Sequence, residues 1–249
     1  MTSRLRRIAY ITGGMGGIGS AICRRLSRDG HVVIAGCSPN SPRRERWLRE
    51  MHTVGADIHA SEANVAEWES TRRAFEVARA EVGEIDILVN NAGITRDECF
   101  RKMTLVAWRE VIEVNLNSLF NVTKQVIDGM LERRWGRVIN ISSVNGRRGQ
   151  FGQTNYCAAK AGIHGFTTAL AREVASHGVT VNTVSPGYIE TTMVQRVDAG
   201  VLDRIVSGVP LKRLGSPDEI ASIVSWLASE ESAFATGAEF CLNGGLHMS

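Results

Sequence analysis

Tyr156 and Lys160 stand four residues apart in "YCAAK", so on a helix they share one face. A phenol ionises near pH 10 and is a poor acid–base group at neutral pH. An ammonium beside it favours the phenolate and can lower that value by roughly one to three units. Ser143, thirteen residues upstream, ends the apolar run "GRVINISS", which reads as a strand. The carboxyl edge of a parallel strand is where ligands bind in open sheets. A Tyr-x-x-x-Lys pair alone is weak evidence; with this serine and a glycine-rich turn in the same chain, it becomes a candidate acid–base centre.

That turn lies in "YITGGMGGIGSAI", between a predicted strand and a predicted helix. Gly13, Gly17 and Gly19 are spaced G-x3-G-x-G, with Gly14, Gly16 and Ile18 between them and Thr12 ahead. A tight turn, close backbone approach to a pyrophosphate and close helix–sheet packing all require such glycines. The reading is a dinucleotide-binding turn.

"SPNSPRRERW" (38–47) then poses a conflict. Ser41 and Pro42 read as an N-cap and first-turn proline, yet Arg43 and Arg44 follow, where the helix dipole disfavours cations. No acid occurs from Val32 to Arg44 to accept from adenosine ribose hydroxyls. A 2′-phosphate would remove the conflict, because it accepts both helix N–H groups and guanidinium donors. The cofactor expected is therefore NADPH/NADP, with Arg43 as leading phosphate ligand, Ser38 beside it and Arg44 on the surface.

Short apolar runs alternate with helical patterns along the whole chain. Strands are predicted at 7–13, 31–36, 56–61, 85–93, 136–143, 179–187 and 238–242. Helices are predicted at 20–30, after Pro42, and at 67–82, 104–132, 156–177 and 217–229, with a less regular segment at 188–216. The alternation implies an α/β fold: one parallel seven-stranded sheet with helices on both faces. One domain spanning 1–249 is expected, with a mobile substrate lid at about 188–210, where Gly200 and Gly208 interrupt the pattern.

Composition narrows the classes. Of 249 residues, 43% are hydrophobic and 22% charged, ordinary for a soluble globular protein. The five cysteines are scattered without a CxxC pair, which suits reduced thiols and a cytoplasmic location. A net charge of +3 without an aromatic platform argues against nucleic acid as a partner. No segment has the length of apolar residues a membrane helix needs. The six histidines show no HExxH spacing, so no metal is expected. No G-x-S-x-G elbow marks Ser143 as a hydrolase nucleophile. His164, two turns beyond Tyr156, reads as a packing or interface residue.

"TGGMGGIG", "NNAG" (90–93), Asn115, Ser143, "YCAAK" and "SPG" (185–187) together resemble the short-chain dehydrogenase/reductase family across nearly the whole chain. The resemblance implies a single Rossmann-type, doubly wound parallel seven-stranded sheet with helices on both faces, strand order 3-2-1-4-5-6-7, and a homotetramer. It also implies a catalytic set of Asn115, Ser143, Tyr156 and Lys160. In that set Ser143 polarises the substrate carbonyl and Tyr156 protonates its oxygen. Lys160 lowers the Tyr156 pKa and binds the nicotinamide ribose, and Asn115 holds a water behind Lys160. By the same likeness Asn91, Ala92 and Gly93 pass along the adenosine ribose, and Asn64 and Val65 flank the adenine. Pro186, Gly187 and Ile189 line the nicotinamide.

Within the family, "CSPNSPRRERW", "NNAGITRD", "FRKMT", "SVNGRRGQFGQTNY" and "LNGGLHM" are similar to the NADPH-dependent acetoacetyl-CoA reductases of polyhydroxybutyrate biosynthesis. That likeness implies an acyl-CoA substrate, shaped by Asp97, Gln150, Phe151 and Gln153 and closed over by Tyr188. The alternative is a 3-oxoacyl-ACP reductase of fatty acid synthesis, for which Arg134 and Arg172 would present a basic face to the acidic carrier. Leu116, Leu119, Phe120, Ile163, Phe166 and Leu170 supply apolar surface for subunit contacts or for the monomer core.

Overall fold

The structure, a computed structural model, describes residues 6–191 and 199–248. Seven parallel strands form one sheet among them: β1 (Ile8–Ile11), β2 (Val32–Cys37), β3 (Ile58–Glu62), β4 (Ile87–Asn90), β5 (Gly136–Ile141), β6 (Val179–Pro186) and β7 (Glu239–Leu242). Their spatial order is β3-β2-β1-β4-β5-β6-β7, as the family resemblance implies. The order reverses between β1 and β4, which opens a crevice at the carboxyl edge.

Successive side chains point to opposite sides of the sheet, and the five inner strands, β2, β1, β4, β5 and β6, are buried on both faces. Tyr10, Leu88, Val138 and Val181 pack with Phe75 and Met130 on one side. Ile11, Val89, Ile139 and Val184 pack with Ile22, Leu26, Val224 and Leu227 on the other. Burial of each such large aliphatic or aromatic side chain contributes about 1.5–3 kcal/mol, so the sheet is a rigid platform for its edge loops.

The helices are α1 (Gly17–Arg28), α2 (Arg44–Thr53), α3 (Trp68–Glu81), α4 (Leu105–Ile112), α5 (Ser118–Thr123), α6 (Ile127–Arg133), α7 (Asn145–Arg148), α8 (Thr154–Val174), α9 (Ala199–Gly208) and α10 (Pro217–Leu227). Several differ from the sequence expectation. Ser41 is not the cap of α2: Arg43 holds that position, no side chain caps the helix, and Ser41 offers only its carbonyl, to Arg44 N. The helix expected over 104–132 is three helices. A π turn at Glu113–Asn117 follows α4, where Asn115 turns inward and Ser118 donates to the Val114 carbonyl. A second break at Lys124–Val126 separates α5 from α6. The irregular segment at 188–216 contains α9; residues 192–198 of the expected lid lie outside the described residues.

Candidate active site

Strand β5 stops at Ile141 rather than at Ser143, so Ser143 lies on the turn just beyond the carboxyl edge. Its hydroxyl oxygen accepts from Asn145 N at 3.2 Å and is a hydrogen-bond partner of the Tyr156 phenol. Tyr156 and Lys160 occupy successive turns of α8. The Lys160 ammonium is 5.6 Å from the centre of the Tyr156 ring and donates to the Ile141 carbonyl at 2.8 Å. Ser142 donates to the Lys160 carbonyl at 2.9 Å. Strand end and helix turn are therefore stitched together twice just ahead of Ser143.

A buried polar ladder fixes α8 to the sheet beneath. Asn90 on β4 donates to Asn140 on β5 at 2.8 Å, Asn140 to Thr167 on α8 at 2.9 Å, and Thr167 meets Thr183 on β6 at 2.8 Å. Polar groups at such depth are stabilising only when all are paired.

Burial decides the ionisations. It pushes the Tyr156 phenol up to about 12, against the pull of Ser143 and reinforced by the Asp97 carboxylate. The same cause pushes the Lys160 ammonium down to about 8. The lowering of Tyr156 by Lys160, expected from spacing, is not seen in this geometry: desolvation raises the phenol, and the Lys160 ammonium, bound to Ile141, is not among the groups acting on it.

At the glycine turn, Gly13 has φ +61, and Gly14 N donates to Gly36 O on β2 at 2.8 Å. A Cβ on Gly19 would lie 2.2 Å from the Gly13 carbonyl oxygen. Helix α1 begins at Gly17 with no side-chain cap and no acid in its first turn, leaving backbone N–H groups of that turn to an anion. Thr12 accepts from Asn91 N at 2.9 Å and Ala92 N at 3.0 Å. The Asn91 amide donates to the Thr12 and Gly13 carbonyls. Asn115 grips Ile94 at both ends of its amide, accepting from its N–H and donating to its carbonyl at 2.8 Å each. A side chain on Gly93 would come within 3.3 Å of Asn115 Oδ1 and 3.7 Å of Lys160 Nζ, so Gly93, Asn115 and Lys160 share one corner.

The short chain dehydrogenase family profile matches residues 7–201. The chain belongs to the short-chain dehydrogenase family. This short-chain dehydrogenase is 68% identical over 243 residues, 98% of its length, to an acetoacetyl-CoA reductase of Cupriavidus necator, of which 99% is covered. It is 55% identical to an acetoacetyl-CoA reductase of Allochromatium vinosum, over 98% of the chain and the whole of that protein. It is 43% identical to a 3-oxoacyl-(acyl-carrier-protein) reductase of Pseudomonas aeruginosa, with 98% of each covered.

As an oxidoreductase of this family it uses a nicotinamide cofactor. The residues present fit one: the glycine cradle admits no Cβ at Gly19, and the first turn of α1 is without an acid. At the far end of the crevice Ser38 and Arg43 are exposed, and the Arg43 guanidinium has no ion-pair partner among the described residues. Arg44 is engaged by Glu62 at 3.2 Å. Glu62 is the acid that inspection of β2 alone misses; register places it opposite Cys37. Asn64 is turned onto its own loop, donating to Glu67 and accepting from Ala66 N. Val65 is partly buried, and its carbonyl accepts from Asn121. Pro186 ends β6, and Gly187 packs where a Cβ would lie 2.8 Å from Asn243 Cα. Ile189 is buried in the core beside α1 and α10, so its side chain is packing material.

Four of the five expected substrate residues form one hydrogen-bonded chain in this short-chain dehydrogenase. Gln153 donates to Asp97 at 2.7 Å and accepts from Asn145 at 3.0 Å. Arg148 donates to Asn145 at 3.2 Å, to Gln150 at 2.9 Å and to the Tyr188 hydroxyl at 3.4 Å. Phe151 is not part of it and is 89% exposed at the loop tip. Asn145 and Arg148, the two links, were not singled out from sequence; only their place between Ser143 and Gln150 hinted at them. A cavity of about 430 Å³ lies behind Tyr188, lined by Val209, Leu211, Leu242 and Met248, and contains none of Ser143, Tyr156 and Lys160. Arg134 precedes β5 and donates to the Ser176 carbonyl, and Arg172 lies in the last turn of α8. Both are at the sheet edge opposite Ser143, which removes them from the mouth of the site.

Proposed function

We propose that this chain reduces acetoacetyl-CoA to (R)-3-hydroxybutyryl-CoA with NADPH, supplying polyhydroxybutyrate synthesis, as one domain spanning residues 1–249. The observation that carries the reading is the near-complete 68% match to a reductase of that name, on a chain whose Ser143 faces Tyr156. Arg43, free of an acidic partner among the described residues, and Arg44, which neutralises Glu62, support NADPH over NADH. When bound, NADPH supplies the hydride that the ketone carbon accepts.

The chain's own residues do the rest. Ser143 takes its second hydrogen bond from Asn145 N, so its own proton is available to polarise the 3-oxo group. Tyr156 keeps its proton at neutral pH and gives it to the oxygen as negative charge builds there. Lys160, anchored on Ile141, holds positive charge beside the ring and the nicotinamide ribose. Asn115 braces the Gly93–Ile94 turn against that lysine; a relay water would sit in the corner they share. Asp97, Gln153, Gln150 and Tyr188, joined through Asn145 and Arg148, hold the thioester and pantetheine.

Exposed Phe100, Leu105, Val106 and Phe120, the last stacked on Trp68, support self-assembly; the assembly proposed is a homotetramer in the cytoplasm, which light scattering at four times the chain mass tests. The functional test is NADPH oxidation with acetoacetyl-CoA and with acetoacetyl-ACP. A kcat/KM at least tenfold higher for the CoA ester is expected. A higher value for the carrier protein ester would replace this reading by the fatty acid one.

A further inference from the structure

One cluster of titratable groups is not used by the steps above. His164, one turn beyond Lys160 on α8, is buried. Its Nε2 lies 3.2 Å from the Ser142 hydroxyl and its Nδ1 lies 3.5 Å from Glu239 on β7. Glu239 is held in turn by Ser185 on β6 at 2.7 Å and by Arg147 on α7 at 2.6 Å. The imidazole on α8 thus meets Glu239 of β7, itself held from β6 and α7, and on its far side Ser142, neighbour of Ser143.

Proton counting gives the cluster a function. Ser142 has one proton and two acceptors in reach, the Lys160 carbonyl at 2.9 Å and His164 Nε2 at 3.2 Å. A neutral imidazole carries one N–H. Placed on Nδ1 it meets the Glu239 carboxylate, leaving Nε2 to compete with Lys160 for the Ser142 proton. Placed on Nε2 it would leave a lone pair facing that carboxylate. A second proton turns Nε2 into a donor and sends the Ser142 proton wholly to the Lys160 carbonyl.

We propose that His164, held by Glu239, is a positioning residue for Lys160 acting through Ser142, and that the proton count on His164 sets how firmly the Lys160 turn is clamped to the strand end bearing Ser143. The activity part of this inference rests on the reductase reading above. The charged groups facing His164 are Glu239 from β7, Arg147 from α7 and Lys160 from its own helix. Burial pushes the imidazole below its ordinary value, Glu239 pulls it back up, and Arg147 and Lys160 push it down. Although burial pushes the Glu239 carboxyl up, hydrogen bonds from Arg147 and Ser185 bring it below the usual range. The neutral Nδ1–H form facing a charged carboxylate is therefore the resting state at neutral pH.

Two measurements test this. Histidine 15N NMR on the intact protein, with His164→Gln for assignment, should report the Nδ1–H form at neutral pH and a titration midpoint below about 6.5. That midpoint should fall further in Glu239→Gln. An Nε2–H form, or a midpoint indifferent to Glu239, would overturn the proposal whatever the substrate is. In turnover assays, His164→Leu, which like protonation sends the Ser142 proton wholly to the Lys160 carbonyl, should lower kcat about 3- to 10-fold, the worth of one hydrogen bond, with KM for NADPH within about twofold. His164→Gln should recover most of the loss while erasing the ionisation that wild-type kcat shows below about pH 6.5, as should Ser142→Ala. An unchanged kcat in the Leu variant, or an unaltered pH profile in both others, would contradict it. Should His164→Leu fail to fold, Ser142→Ala and the NMR titration still decide. Tyr156→Phe runs alongside: if it stays active, the reductase reading fails and only the NMR arm judges this proposal.

Discussion

The Lys160 ammonium stands 5.6 Å from the centre of the Tyr156 ring and is bonded not to the phenol but to the carbonyl of Ile141, 2.8 Å away. Lys160 is buried and Tyr156 partly so, and desolvation moves each toward its neutral form: the phenol up to about 12, the ammonium down to about 8. The site therefore holds a protonated phenol beside a cation that is expensive to keep, which suits a donor of protons rather than a standing base.

Lys160→Met should raise stability while abolishing turnover. Holding this lysine charged below its ordinary value near 10.5 costs the folded state about 3 kcal/mol at pH 7. Between about pH 8 and 10.5 the unfolded chain binds more protons at this site than the folded one. Wild-type stability contributed by this residue therefore rises with pH across that window. Urea unfolding should show the variant more stable at pH 7 and the difference shrinking toward pH 10.5; a variant less stable at pH 7 would mean the Ile141 contact outweighs the desolvation.

Tyr156 and Tyr10 should ionise late. Both are pushed up to about 12 by burial. A phenol raised above its unfolded value near 10 stabilises the fold below that pH and loses this contribution as pH climbs to about 12. Ultraviolet titration should show two phenols ionising together with unfolding, and Tyr156→Phe should remove one of them. Ionisation of Tyr156 near pH 10 with the fold intact would contradict the burial argument.

Arg43 and Arg44 should separate by role. Arg43 has no acidic partner among the described residues, while Arg44 screens Glu62. Arg43→Ala should raise KM for NADPH by tenfold or more, about 1.4 kcal/mol, and leave NADH nearly unchanged. Arg44→Ala should weaken NADPH less and improve NADH relative to it, because Glu62 becomes free to accept from ribose hydroxyls. Equal losses for both cofactors would return Arg43 to the surface.

Gly19→Ala should lose cofactor affinity before it loses the fold. A Cβ there would be 2.2 Å from the Gly13 carbonyl oxygen, a backbone atom that cannot rotate away. Equilibrium binding of NADPH should weaken at least tenfold, and binding within twofold of wild type would show that the turn has slack.

Much of this was legible in the chain. Apolar runs marked the five inner strands, since a strand buried on both faces needs no alternation to be seen, and the shorter runs at 56–61 and 238–242 marked the two edge strands. The glycine spacing, Ser143 and the Tyr156–Lys160 pair were visible because each is a local pattern. What escaped depends on contacts between distant segments. Glu62 reaches the end of β2 only through strand register, so a scan of residues 32–44 found no acid. The break at Glu113–Asn117 leaves no mark in a helical repeat because it is made by the Asn115 amide closing on Ile94. Glycines at 200 and 208 hid α9, which begins and ends near them. The direction of the Tyr156 shift followed from depth, which four-residue spacing does not reveal. His164 was read as packing; its packing turned out to be polar, and shared with Ser142.

Tyr156→Phe, assayed in a single turnover with NADPH and acetoacetyl-CoA, tests the central claim most directly. The variant should bind NADPH within about twofold of wild type, while its rate of cofactor oxidation falls 10²- to 10⁴-fold, the usual worth of a positioned general acid. A variant that binds NADPH normally and still oxidises it at a tenth of the wild-type rate or more would contradict the assignment of Tyr156 as the proton donor.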